Sequence, residues 1–262
     1  MSRSIMKTAI FCAAAAISFV ATPALADDST DPGGFYVGVS GGYAWSTADV
    51  TTSTVYDAAG YFAATSVPAI NSSGVQRVKP RAFNGGVNLG YDFNTGGVLF
   101  GVVADISSLS NTKTATTTAV YPCCSPSAYT ISQTVNTKWM TTARAKLGFG
   151  IGGGSSVYAT GGWAGEKVKY SALFTDTFAT ANESATKDSF RSGWVAGGGA
   201  SFRFGNGWSI DPEFLHAEFG TVTIPGGTIT AFTPAISFPT NTFTHTMKLR
   251  TDVARINFNY HF

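Results

Sequence analysis

Between Phe35 and Trp45 the chain alternates with a period of two. Phe35, Val37, Val39, Gly41, Tyr43 and Trp45 fall on one face, and Tyr36, Gly38, Ser40, Gly42 and Ala44 on the other. Successive strand side chains point to opposite faces, so this run is a strand with one apolar side and one of small or polar groups. The pattern recurs. Phe83, Val87, Leu89, Tyr91 and Phe93 oppose Asn84, Gly86, Asn88, Gly90 and Asp92, and Val98, Phe100, Val102, Ala104 and Ile106 oppose Gly101, Val103 and Asp105. Trp139, Ala143, Ala145, Leu147 and Phe149 oppose Met140, Thr142, Arg144 and Lys146. Further runs cover 157–166, 190–204, 208–219 and 249–262, which gives about eight strands.

Composition decides which solvent the large face meets. Charged residues make up 12% of the chain, about half of the ~25% usual in a soluble globular protein. A soluble sandwich would turn polar side chains outward, whereas here the polar faces are dense in Gly and Ser. No uninterrupted apolar run follows residue 27 that is long enough for a helix to cross a bilayer, roughly 20 residues. A membrane chain without helical spans must close its sheet, because lipid offers unpaired backbone groups no partner. The expected fold is therefore all-β: a closed antiparallel up-and-down transmembrane β-barrel of about eight strands.

The connections alternate in length. Asn94-Thr95-Gly96-Gly97, Gly152-Gly153-Gly154 and Gly205-Asn206-Gly207 read as tight turns, while 47–80, 107–137, 168–189 and 221–248 are long and rich in Thr, Ser, Ala and Pro. Short periplasmic turns and long extracellular loops follow. Phe35, Phe93, Phe149, Phe204, Trp208 and Phe262 then form one aromatic girdle, and Trp45, Phe83, Trp139, Trp163 and Trp194 the other. Pro212 interrupts the run 208–219, and a closed barrel has no free edge to excuse its missing N–H, so a bulge is expected there, with the outward phase slipping between Phe214 and Phe219.

The N-terminus carries Arg3 and Lys7, then an uncharged apolar stretch over 8–21, then Pro23 and Ala24-Leu25-Ala26. This is the grammar of a secretory leader cleaved between Ala26 and Asp27, so residues 1–26 are the signal peptide and 27–262 the barrel domain. Removing the leader takes away two cations and no acid, leaving Lys and Arg equal in number to Asp and Glu. No basic footprint for nucleic acid remains. Cys123 and Cys124 are adjacent and cannot staple distant elements; they read first as an exposed oddity of the second long loop, with a vicinal disulfide or a pairing between molecules as the alternatives, and no spacing suits zinc. No cofactor is expected.

Catalytic motifs dissolve in context. Gly38-Val39-Ser40-Gly41-Gly42 matches a nucleophile elbow, but strand alternation continues on both sides where a helix should follow. Gly148-Phe149-Gly150-Ile151-Gly152-Gly153 contains a phosphate-loop spacing that also runs into a turn. His216, His245 and His261 are scattered. His216 has Glu213 and Glu218 on its own strand, which leaves a membrane-embedded hydrolase or acyltransferase as a remote alternative. The constellation with a physical argument is the inward charge. Asp105, Arg144, Lys146, Arg191, Arg203, Asp211, Glu213 and Arg255 fall on the polar phase of their strands, inside a barrel just wide enough for side chains to fill. Opposite charges there should pair and plug the lumen; the alternative is a narrow porin-like channel for small hydrophilic solutes. The last long connection, with Ile224, Ile229, Phe232, Ile236 and Phe238, is too apolar for a solvated loop and either extends the barrel or meets a partner.

Several stretches carry a family resemblance: Gly34-Phe35-Tyr36-Val37-Gly38, Gly90-Tyr91-Asp92-Phe93, Trp208-Ser209-Ile210-Asp211-Pro212-Glu213-Phe214, and the terminal Arg255-Ile256-Asn257-Phe258-Asn259-Tyr260-His261-Phe262. In these strands the chain resembles the Omp25/Omp31-like outer-membrane proteins of alphaproteobacteria; the loops are not covered. The resemblance implies a small outer-membrane barrel supporting envelope integrity and surface interactions, among lipid and lipopolysaccharide. It also implies a terminal strand, with Tyr260 and Phe262, read by the barrel-assembly machinery. Some members are described as porin-like and one type as haemin-binding, but no haem ligand carries over. The expected role is non-enzymatic, with the loops meeting any extracellular ligand.

Overall fold

A strand with one large apolar face and one small polar face buries neither by lying flat in water, and the computed structural model, which describes residues 34–262, shows the sheet closed on itself. The elements run β1 (Gly34–Thr54), α1 (Ser66–Ser73), β2 (Val75–Val78), β3 (Arg81–Thr95), β4 (Val98–Val120), β5 (Ala128–Gly152), β6 (Ser155–Asp176), β7 (Asn182–Phe204), β8 (Trp208–Ala231) and β9 (Ile236–His261). From β3 to β9 each strand pairs antiparallel with its neighbour in sequence. The ring closes where β1 meets β9, from Tyr36↔His261 to Thr54↔Phe243. On its other side β1 pairs with β3 up to Trp45↔Arg81, and then with β2 from Ala48↔Val78. β2 thus carries β3's place upward past Lys79 and Pro80, and the ring has eight positions. The leader and the Ala26/Asp27 junction lie outside the described residues.

The outward phase matches the reading from periodicity. Phe35, Phe93, Phe149, Phe204, Trp208 and Phe262 are exposed at the end with short turns, and Phe83, Trp139, Trp163 and Trp194 at the other, with Trp45 half-buried beside them. Between them Val39, Val87, Leu89, Val102 and Leu147 face outward. That band is the lipid-facing surface an outer-membrane barrel presents. Gly96 and Gly97, at φ 57° and 83°, let the β3–β4 turn take the left-handed conformation that tight hairpins need.

The segments read as long loops are largely strand. β4 to β9 are 22 to 26 residues long, against roughly 9–11 for one bilayer crossing. The barrel therefore continues above the membrane, and the turns at its summit shrink to 121–127, 177–181 and 232–235. Thr is β-branched and favours strands even where its polarity suggests a loop. Hydroxyl pairs such as Thr114–Thr134 (2.8 Å) and Thr118–Thr130 (2.9 Å) tie neighbouring strands on the outer face. The remaining long connection folds α1 into the mouth, where Asn71 exchanges two hydrogen bonds with the Thr54 backbone and Ser73 meets the Tyr129 hydroxyl.

Pro212 does not produce the expected bulge. β8 keeps one register against β9 through Pro212↔Ile256, and the shift comes later, between Phe219 and Val222. On the β7 side the ladder has no pairs between Gly199↔Glu213 and Phe202↔Ile210, so the missing N–H faces a local gap. Nor does the outward phase slip: Phe214, His216 and Glu218 stay outward, and Phe219 is an inward residue, fully buried.

Candidate functional site

The lumen is filled in layers, and the lowest is the charged one. Arg144 on β5 donates from Nη2 to Asp105 Oδ2 (2.9 Å) and from Nη1 to Glu213 Oε1 (2.6 Å). Arg255 on β9 donates to both Asp105 oxygens (3.1 and 3.0 Å) and from Nε to Glu213 Oε2 (3.0 Å). Two guanidiniums and two carboxylates thus form a closed quartet from β4, β5, β8 and β9, each side chain at most 3% exposed. The planar guanidinium fork is what lets one cation serve two carboxylates. Thr142 adds a further donor to Asp105.

Below it Lys146 Nζ lies 3.0 Å from both Asp92 oxygens and within 5 Å of the Tyr36 and Tyr158 rings, at 4.9 and 4.7 Å from their centroids. Asp211 is held by Ser201 Oγ (2.7 Å) and Asn259 Nδ2 (2.6 Å), and Arg203 by His261 Nδ1 (2.9 Å), whose other ring nitrogen meets Ser209. The space left among Tyr36, Asn88, Arg144, Lys146, Glu213 and Asn257 is about 10 Å³. That is about the room of a single water.

Of the eight charged positions expected inside, seven are there. Arg191 shares the inward phase but sits at the upper rim, half exposed, where β7 has left β8, and its guanidinium donates to Ser189 Oγ (3.2 Å). It joins no part of the quartet. Asp92 and its tyrosines were missed as partners of Lys146, because pairing across the lumen depends on strand stagger, which a linear pattern does not carry.

Above the charges lies an apolar layer that includes Met140, Val195, Leu215, Phe219, Leu249 and Val253. Glu166 is buried at this level, accepting from Thr251 (2.9 Å). Higher again, His245 bridges Thr52 (2.9 Å) and Glu183 (3.4 Å), and Gln133 accepts from Tyr170 and donates to Gly74 O. The summit is aromatic, with Phe62, Tyr129, Phe174 and Phe243 packed under α1. Tyr61 and Tyr121 both donate to Asp176 Oδ2 (2.6 and 2.9 Å). Burial first, and the Asp176 carboxylate after it, push both phenols above their ordinary range. A cavity of about 190 Å³ opens here between Tyr61, Phe62, Ser66, Tyr121 and a Cys123–Cys124 disulfide.

Outside, His216 has an acid within reach, though neither glutamate of its own strand. Nδ1 is 2.6 Å from Asp252 Oδ1 on β9, and the pair faces outward beside Trp194. A cross-strand partner of this kind is invisible to reading along one strand. Among the described residues no group of three or more His, Cys, Asp or Glu is placed to hold a metal.

Comparison with known proteins adds to this geometry. Residues 12–262 match the family described as outer membrane protein beta-barrel domain. The 31 kDa outer-membrane immunogenic protein of Brucella melitensis biotype 1 is 30% identical over 149 residues, 56% of this chain and 58% of the relative. The chain thus spans less than two thirds of that relative's length. Among solved structures, the outer membrane protease OmpT from Escherichia coli is 8% identical with a TM-score of 0.43, covering 89% of this chain and all of that one. Ail, the attachment invasion locus protein of Yersinia pestis, is 15% identical with a TM-score of 0.31, covering 85% and 99%.

Proposed function

The chain belongs to the outer membrane protein beta-barrel family and is an outer-membrane protein, and from that premise we propose that it is a non-conducting, non-catalytic envelope scaffold whose tall extracellular wall presents a recognition surface. One observation carries this reading. Six inward charges satisfy one another in a closed quartet and a Lys146–Asp92 pair, and Asp211 and Arg203 bond to neutral side chains, with about 10 Å³ left among them. A conduit for hydrophilic solutes needs lining groups that water or solute can reach. Here those groups are turned to each other, and two apolar layers stand above them.

The same reading keeps residues 1–26 as a leader removed before Asp27. It takes Tyr260 on the last strand and Phe262 just beyond it, both exposed, as the contact offered to the assembly machinery. The His216–Asp252 pair supplies a base and its orienting acid on the outer wall. A hydrolase would also need a hydroxyl at hydrogen-bond distance from the imidazole in a concave site.

Osmotic swelling of vesicles carrying the folded protein tests the proposal. No swelling in arabinose or in salt is expected; swelling with arabinose comparable to that given by an open porin would replace the scaffold with a channel.

A further inference from the structure

Where the apolar wall ends, β5, β6 and β7 place cations beside aromatic rings. Trp139, Lys167 and Phe190 form one row across the three strands, being register partners in turn. Phe190 lies between Trp139 and Trp163, at centroid distances of 5.5 and 6.0 Å. Gly165 makes this possible: a Cβ there would collide with the rings of both Phe190 and Trp163, which instead lie down against the wall. The three rings are a shelf, each more than a third exposed.

Directly above, Lys138 Nζ and Lys167 Nζ each hold one oxygen of Asp188 at 2.6 Å. Lys169 is exposed and is the cross-strand partner of Asp188. Two ammonium groups therefore share one carboxylate, and a third lysine stands across the ladder from it. With three lysines set against one carboxylate, the cluster carries an excess of positive charge. Each ammonium has three donors, and the bonds to Asp188 use one on each of two lysines. The remaining donors are free to meet an anion approaching from outside.

We propose that Lys138, Lys167 and Lys169, with the Trp139–Phe190–Trp163 shelf, form a binding site for the phosphate-bearing headgroup of an outer-leaflet lipid. The occupant is a lipid rather than a soluble anion because the cations stand on the lipid-facing phase, and the wall below them, with Trp163, Val157, Leu147 and Phe149 outward, offers acyl chains a surface. Aromatic rings at a membrane interface present an apolar body to chains and a flat face to headgroup sugars. The inference rests on the outer-membrane reading and adds a ligand class and its residues.

The test is native mass spectrometry of the folded protein in micelles, offered bisphosphorylated lipid A or the same lipid dephosphorylated. The wild type should retain the phosphorylated form preferentially. K138Q/K167Q/K169Q should reduce that preference by on the order of tenfold or more, at about fivefold per lysine before screening. K138R/K167R/K169R should restore it, and K113Q, a charge loss on upper β4, should leave it unchanged. Equal retention of both lipids by the wild type, or an unaltered preference in the triple Gln variant, overturns the site. Displacement of the lipid by an equal concentration of inorganic phosphate overturns its assignment to a lipid. Heat-modifiable gel mobility is read in parallel: its absence in the wild type would strike the barrel reading itself, a separate failure.

Discussion

Arg144 and Arg255 each bond to the same two carboxylates, Asp105 and Glu213, so removing any one member strands charge on the others. Breaking a buried pair from one side costs roughly 3–5 kcal/mol, far more than the pair's net worth. Asp105→Ala should therefore lower the unfolding free energy of the reconstituted barrel by about that much in a denaturant titration. Asp49→Ala, at the exposed Arg77 and Arg250 pairs, should cost about 1 kcal/mol or less. Comparable losses would mean that the quartet is not buried as described. Gly90 gives a second residue-scale prediction. A Cβ there would run into the Tyr36 ring and the Val102 carbonyl, so Gly90→Val should abolish heat-modifiable folding or shift its yield sharply, whereas Gly96→Asn, in an open left-handed turn, should not. At this scale the sequence was informative about side, not partner. Phase alone placed Asp105, Arg144, Lys146, Glu213 and Arg255 inside; it could not join Lys146 to Asp92, or foresee that Asp211 is held by Ser201 and Asn259 rather than by a cation.

Among the elements, the strands outgrow the membrane. The Thr-rich halves of β4 and β5 read as loops because their polarity matches that of irregular, solvated backbone. They are strands because β-branched side chains suit a pleated sheet and because each hydroxyl finds a neighbour across the ladder. The summit cluster under α1 was equally illegible, since its rings come from four separate connections. The disulfide at Cys123–Cys124 closes no loop between elements, so replacing both cysteines with Ala should leave the barrel's thermal unfolding unchanged; a drop comparable to that of Asp105→Ala would show a wider role. The tyrosines beneath it respond to pH. Their folded-state phenols titrate above the unfolded value of about 10, so they favour the folded summit below that pH and cease to do so as pH rises through the shifted values. Asp176→Asn removes part of the cause, and phenolate absorbance should then appear at lower pH than in the wild type. An unchanged titration would remove Asp176 from the account.

Taken as a whole, the molecule is a barrel whose interior is filled in layers, with a charged layer in the lipid-spanning half, an apolar layer at the rim, a polar layer around His245 and an aromatic summit. Ring closure, strand number, both girdles and the outer-membrane location were all legible from alternation and low charge. The layering above the membrane was not, because inward residues of the upper strands lie in segments whose pairing the sequence leaves open. Whether the wild-type lumen conducts is read by single-channel recording in planar bilayers, with Asp105→Ala/Glu213→Ala alongside to open the charged layer. The wild type should be silent while its gel mobility shows an intact barrel, with any openings confined to the double variant. Discrete, reproducible openings of the wild type, altered in size or ion preference by that variant, would contradict a non-conducting lumen.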